Sequence, residues 1–172
     1  MDNLRHTGFQ HEILEAPSLT VVYTAMSRKT FPFRVQVSRY VFDRGCCPAN
    51  PYMAFDFDFY SLVTKRQLLS ANNSLLTKAD ELWAFGPVSD GVLAEMLLFA
   101  RSGKPLRFFR FSQDSDSRFE EIQSSEPVYE DDVAHLRDDI ISLLGKHSSD
   151  RAGDRACGHP GTVEGDMATL VK

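Results

Sequence analysis

The stretch 80–111, DELWAFGPVSDGVLAEMLLFARSGKPLRFFRF, contains a complete strand–helix–strand unit. Its apolar run 80–86 closes at Gly-Pro, which predicts a short buried strand. Ser89 is a typical helix N-cap, and we expect the helix to run over 90–102. The alternation of apolar and polar residues over 106–111 predicts a second strand. Two strands joined through one helix favour parallel pairing within an α/β fold.

The rest of the chain continues this alternation of strands and helices. The further predicted elements are a strand over 19–24, a helix over 33–42, a short strand over 46–51, a helix over 61–78 and a closing helix over 130–146. Between them we expect a basic loop over 27–30 and an aromatic loop over 52–60. The order predicts a flavodoxin- or Rossmann-like three-layer sandwich, in which helices cover both faces of a mainly parallel sheet.

Length and composition predict a single domain. The chain has 172 residues, of which 42% are hydrophobic, so it can bury one ordinary core. We expect an α/β domain over 1–147 and a polar, disordered tail over 148–172. Apolar runs are too short to cross a bilayer and no signal-peptide pattern opens the chain, so we expect a cytoplasmic protein without a membrane partner.

The charge pattern excludes some partners. A formal net charge of −5 argues against a broad basic face that binds long nucleic acids, although a few local cations suffice for one phosphate group. The five histidines are scattered without a ligand-like spacing, and no motif for a redox cofactor is present. We therefore expect neither a metal ion nor a cofactor.

Two segments resemble the nucleoside 2-deoxyribosyltransferase superfamily. One is the strand 79–86, ADELWAFG, followed by Ser89-x-Gly91-Val92-x-x-Glu95; the other is 22–29, VYTAMSRK. The latter is similar to the family's first strand and phosphate loop, where a tyrosine precedes Gly-Ser and basic residues. This superfamily includes 2'-deoxynucleoside 5'-phosphate N-hydrolases and nucleotide N-ribosidases, and the resemblance covers roughly residues 19–112.

The resemblance implies an N-glycosidase that cleaves or exchanges the base–sugar bond of a nucleoside or nucleoside 5'-monophosphate. Glu95 would be its nucleophile, or would stabilise the oxocarbenium-like state, and Tyr23 would orient the carboxylate. The predicted helix carries an apolar stripe made of Val92, Leu93, Met96, Leu97 and Ala100. At 100° per residue, Glu95 lies about 130° from the centre of this stripe, so it can face a crevice rather than the core. The alternatives are a solvated acid that assists the helix dipole and an ordinary core tyrosine.

The same resemblance implies a set of substrate-binding and phosphate-binding residues. They would supply hydroxyls, cations and helix-start N–H groups to a 5'-phosphate. The set is Ser27, Arg28, Lys29, Ser89 and Gly91. A solvated basic loop next to an ordinary N-cap is the alternative.

Two residues depart from the family pattern. Asn72 occupies the place of an aspartate that touches the sugar and assists leaving-group protonation, and an asparagine cannot donate a proton as a carboxylic acid does. Met26 stands where hydrolases of the family tend to have glycine. Asp56 and Asp58 could substitute as the second acid, although a solvated loop face explains them better.

Several aromatic residues near these segments are candidates for stacking on a base, with a further cation beside them, although core or loop packing also accounts for each ring. They are Phe31, Phe33, Phe55 and Phe57, with Arg34 as the cation.

Two other functions stay open. One is a non-catalytic nucleotide-binding module with a degenerate active site, which Asn72 and Met26 favour. The other is an interaction protein that uses the aromatic loop as a contact surface. Because family members assemble as dimers or larger, the resemblance also implies a homo-oligomer.

Overall fold

The computed structural model describes residues 16–55, 59–112 and 118–148. It is an α/β structure with a five-stranded sheet in the order β2-β1-β3-β4-β5. The strands are β1 (Val21–Met26), β2 (Cys47–Ala49), β3 (Glu81–Phe85), β4 (Leu106–Phe111) and β5 (Phe119–Ile122). The first four strands pair in parallel, and β5 pairs antiparallel to β4.

Helices flank this sheet. They are α1 (Arg34–Phe42), α2 (Pro51–Ala54), α3 (Phe59–Leu62), α4 (Lys65–Lys78), α5 (Asp90–Ala100) and α6 (Arg137–Ser148), with 3-10 turns over Arg28–Phe33 and Ala134–Leu136. Within the described ranges, none of the helices combines the length and apolarity that crossing a membrane requires. The tail predicted over 148–172 lies outside the described residues, apart from the last residue of α6.

Side chains that alternate along the strands divide the core between the two faces of the sheet. Tyr23 and Ala25 of β1 pack in the cluster that contains the buried residues of α4, α5 and α6. Val22 and Met26 pack in a second cluster with buried residues of α1. A period of two along β1 therefore places Tyr23 on the same face as α4 and α5.

Helix α5 begins where its sequence predicts. The Ser89 hydroxyl accepts a hydrogen bond from the backbone N–H of Val92, 3.4 Å away. The predicted apolar stripe is partly wrong: Leu97 is 37% exposed, whereas Phe99 is buried. Nearly every position of this helix is apolar, so the pattern does not define which side faces the core. Val92, Met96 and Phe99 give the observed direction.

Helix α4 is shorter than predicted. The chain forms α3, breaks, and restarts α4 at Lys65, because Thr64 and Gln67 make a capping box. The basic loop is also not wholly a loop, since the 3-10 turn starts at Arg28.

Three further differences from the predicted elements lie elsewhere in the chain. The aromatic loop contains α2 and α3, β5 was not predicted, and the closing helix starts at Arg137 rather than at residue 130. The sequence did not predict β5 because its pattern, FEEI, is short and only its ends are apolar. Its glutamates pair with arginines of β4, so the strand is held by cross-strand ion pairs and by the buried ring of Phe119.

The edge at which β1 and β3 end is where a ligand is expected to bind. The two strands are neighbours, but β1 continues to β2 on one side while β3 continues to β4 on the other. Such a reversal leaves a crevice at the carboxyl ends of the strands. Gly86 makes the turn there with φ +78°, and a Cβ at this position would lie 2.6 Å from the ring of Phe111.

Candidate active site

Three polar side chains meet on the face of the sheet that α4 and α5 cover, and we call them the Glu95 cluster. Tyr23 comes from β1, Asn72 from α4 and Glu95 from α5. Helix α4 leads into β3 and α5 leaves it, and both lie on the face to which Tyr23 points. The fold thus brings together residues that are far apart in the sequence.

Hydrogen-bonding distances join all three members of the Glu95 cluster. The Tyr23 hydroxyl lies 2.6 Å from Oε1 of Glu95 and 2.8 Å from Oδ1 of Asn72. Nδ2 of Asn72 donates to the same Oε1 at 2.9 Å. One carboxylate oxygen of Glu95 therefore receives two side-chain contacts, which fix the direction of the carboxyl group.

The protons in the Glu95 cluster can be counted. A phenol has one proton, so Tyr23 can fully donate to only one of its two oxygen neighbours. When Glu95 is protonated it donates to Tyr23, Tyr23 donates to Oδ1 of Asn72, and Nδ2 of Asn72 donates back to Glu95. Each contact then holds one hydrogen. When Glu95 is ionised, it keeps two donors and the contact between Tyr23 and Asn72 is left without one.

Burial and hydrogen bonding act on the Glu95 carboxyl in opposite directions. Burial raises the pKa of the Glu95 carboxyl above its ordinary value, while the hydrogen bonds from Tyr23 and Asn72 lower it in part. The pKa of the Tyr23 hydroxyl is also raised, first by burial and then by the negative charge of Glu95. Tyr23 is therefore a lasting hydrogen-bond donor, and Glu95 is the group that can exchange a proton.

The residues implied for substrate binding lie around the carboxyl ends of β1 and β3. Ser27 is buried directly after β1, and its hydroxyl has no hydrogen-bond partner among the described residues. Ser89 caps α5, as predicted. A Cβ at Gly91 would meet only the Ser89 hydroxyl, 4.0 Å away, so the space beside this glycine is open. Arg28 is exposed.

Lys29 is engaged by a residue that the sequence analysis did not single out. Its Nζ forms an ion pair with Oε2 of Glu130 at 2.8 Å. Glu130 reaches this place because its backbone N–H donates to Val88, next to the cap of α5. The sequence assigned residue 130 to the start of the closing helix, and no local pattern indicates the bridge between Val88 and Tyr129 that carries it here.

The two departures from the family pattern have different positions. Asn72 belongs to the Glu95 cluster, where it supplies an amide instead of a carboxylic acid. Met26 is buried on the opposite face of the sheet, against the core that includes α1, and its sulfur lies 3.9 Å from Nδ2 of Asn50. Its side chain therefore does not lie with the Glu95 cluster.

Two of the predicted stacking residues contact neighbouring side chains. Phe31 makes an edge contact with Tyr52 and lies 4.1 Å beneath the Arg34 guanidinium. Phe33 packs against Phe111. Phe55 is half-buried after α2. The remaining candidates of this region, Asp56, Phe57 and Asp58, lie outside the described residues.

A cleft of about 490 Å³ lies on the side of the sheet that α1 covers. It is lined by residues of α1, by Phe119 of β5 and by three arginines, Arg39, Arg44 and Arg118. None of the residues implied for the active site lines this cleft, so the cleft and the Glu95 cluster are separate features.

The described part of the chain contains no group of histidine, cysteine and acidic side chains placed to hold a metal ion. A search of known protein families finds none that matches the chain, and no curated protein matches it either.

Proposed function

We propose that this protein is an N-glycosidase that cleaves or exchanges the bond between base and sugar in a nucleoside or nucleoside 5'-monophosphate. Glu95 would act on the anomeric carbon, Tyr23 would orient Glu95, and Asn72 would bind the sugar. The observation that carries the proposal is the Glu95 cluster, in which Tyr23 and Asn72 both contact one oxygen of Glu95.

The chemistry follows from the charge of the reaction. Breaking an N-glycosidic bond develops positive charge on the sugar, and a carboxylate held below the anomeric carbon stabilises that charge or attacks the carbon. The covalent route forms an ester between Glu95 and the sugar while the base leaves with the bonding electrons. Water then releases the sugar, or a second base takes it. Ionised Glu95 retains the donors on Tyr23 and Asn72, which hold it in place.

The proposal includes the finer architecture that the resemblance implies. A flavodoxin-like three-layer sandwich in one domain is supported by the strand order and by core clusters on both faces of the sheet. The proposal also keeps a homodimer and a cytoplasmic location, which rest on the sequence analysis alone.

One observation favours a second candidate, a nucleotide-binding module that has lost catalysis. Asn72 gives the Glu95 cluster an amide where the resemblance implies a second carboxylic acid, so no member other than Glu95 can protonate a departing base. Such a module would bind a nucleoside or nucleotide and leave it intact.

The experiment that tests the proposal is incubation of the purified chain with the common ribo- and deoxyribonucleosides and their 5'-monophosphates, followed by chromatography for free base. We expect base release from at least one compound and a loss of roughly 10³-fold or more in Glu95→Ala. Glu120→Ala is the control, because it removes an exposed carboxylate on β5, away from the Glu95 cluster. Release that survives Glu95→Ala contradicts the proposal. A thermal shift without any release identifies the binding module.

A further inference from the structure

The predicted phosphate site contains a carboxylate. Glu130 pairs through Oε2 with Lys29, the cation that the resemblance assigns to a phosphate. The Lys29 side chain is 78% exposed, whereas that of Glu130 is only 14% exposed. The other oxygen of Glu130, Oε1, is buried and has no hydrogen-bond partner among the described residues. The carboxylate of Glu130 is thus held within the fold, whereas the side chain of Lys29 extends into solvent.

Glu130 spans the two parts of the site that would hold a phosphate. Its backbone N–H donates to the carbonyl of Val88 at 2.8 Å, which places it beside Ser89 and the start of α5. Its side chain reaches the basic loop through Lys29. A phosphate between the helix start and the basic loop would therefore lie next to this carboxylate.

Further carboxylates surround the same place. Asp131 and Asp132 are close enough to add to the effect of Glu130 in raising the pKa of Lys29. Asp90 lies in the first turn of α5. Lys29 therefore lies among three acids, Glu130, Asp131 and Asp132. A phosphate monoester carries close to two negative charges at neutral pH, and like charges held close together repel.

We propose that the site accepts nucleosides with a free 5'-hydroxyl and excludes 5'-phosphates, and that Glu130 is the residue that sets this preference. A 5'-hydroxyl is neutral, so it can lie beside the carboxylate of Glu130 without charge repulsion. A phosphate dianion has no proton to donate and meets the carboxylate as a like charge. This inference rests on the proposed function, and it names the substrate class of that site.

The test compares kcat/KM for the four common 2'-deoxynucleosides and for their 5'-monophosphates in three proteins. We expect the wild type to prefer a nucleoside over its monophosphate by roughly tenfold or more. Glu130→Gln keeps the size of the side chain and an oxygen that can face Lys29, but removes the charge. We expect it to narrow the preference by about tenfold, chiefly through a lower KM for the monophosphate.

Glu126→Gln is the matched control, since it neutralises an exposed carboxylate in the same segment that contacts only the backbone of Gln123. It should leave the preference within about twofold of wild type. A wild type that prefers monophosphates, or a Glu130→Gln preference equal to that of Glu126→Gln, overturns the inference while the proposed function stands.

A binding measurement separates failure of the proposed function from failure of this inference. If no compound releases its base, the same pairs are titrated calorimetrically against Glu95→Gln and against Glu95→Gln combined with Glu130→Gln. If Glu95→Gln binds nucleosides more tightly than monophosphates, and the added Glu130→Gln substitution reduces that preference, the role of Glu130 is supported in the absence of catalysis. Binding of neither class, or equal binding of both classes, overturns it.

Discussion

The Glu95 cluster and the basic loop, both expected from one resemblance, differ in how the fold treats them. In the Glu95 cluster, three side chains from separate elements contact one another within 2.6–2.9 Å. In the basic loop, Ser27 has a buried hydroxyl without a described partner, Arg28 is exposed and Lys29 turns to Glu130. The part suited to sugar chemistry is assembled, whereas the part expected to hold phosphate faces carboxylates. Residues implied by one resemblance can therefore differ in whether the fold brings them into contact.

Of the three predicted effects that follow, the loss of base release on removal of the Tyr23 hydroxyl should be the largest. Tyr23→Phe takes away the short contact to Glu95 and leaves Asn72 without its hydroxyl neighbour. We expect base release to fall by about 10²-fold, because a Glu95 carboxylate without this donor is misplaced relative to the anomeric carbon. Steady-state rates on the best nucleoside measure it.

Tyr129→Phe is the matched control for that change. The Tyr129 hydroxyl is buried without a hydrogen-bond partner among the described residues, so its removal breaks no described bond. Its rate should stay within about twofold of wild type. Equal rates in Tyr23→Phe and wild type would mean that the Glu95 cluster is structural.

Elements with strong end signals could be predicted from the sequence. Ser89 identifies the start of α5, and the alternation over 106–111 matches β4. Elements held mainly by distant partners could not be predicted: β5 depends on pairing with β4, and the break before α4 depends on the capping box at Thr64. Local patterns carry information about caps and periodicity and little about cross-strand pairing.

The candidate site was predictable to a similar extent. Helical geometry and the resemblance together pointed Glu95 towards Tyr23, and the two side chains are in contact. Glu130 could not be predicted, because it reaches Lys29 only through the bridge between Val88 and Tyr129. A residue whose place is set by a long-range backbone pairing leaves no signal at its own position in the sequence.

Placing an acid at position 72 should change the rate of base release by less than Tyr23→Phe does. Asn72→Asp places a second carboxyl group against Glu95, and two such groups share a proton that can pass to the departing base. We expect the rate of base release to rise by about tenfold, or turnover to appear if the wild type only binds.

The adjacent residue offers the control for this prediction. Asn73 is exposed on α4, so Asn73→Asp adds the same charge away from Glu95. Its rates should match those of the wild type on the same nucleosides. A rate for Asn72→Asp no higher than that of Asn73→Asp would show that the missing acid does not limit the reaction.

The smallest expected effect concerns stability, and it distinguishes a buried carboxyl in the Glu95 cluster from the one beside the basic loop. Since burial raises the pKa of Glu95, there is a pH range above 4.5 in which the folded chain holds a proton that the unfolded chain releases. Its contribution to stability is therefore complete below the ordinary value of 4.5 and is lost as pH rises through the raised value.

Glu95→Gln removes this loss and keeps an oxygen for Tyr23 and Asn72. We expect the free energy of unfolding at neutral pH to rise on the order of 1 kcal/mol in this variant, with no such gain at pH 4. Glu130→Gln should do the opposite at neutral pH, because it loses the ion pair with Lys29, and the exposure of the lysine keeps that loss small. Urea unfolding of both variants at the two pH values measures the difference. A Glu95→Gln protein less stable than wild type at neutral pH would mean that the two donors stabilise ionised Glu95 by more than burial destabilises it.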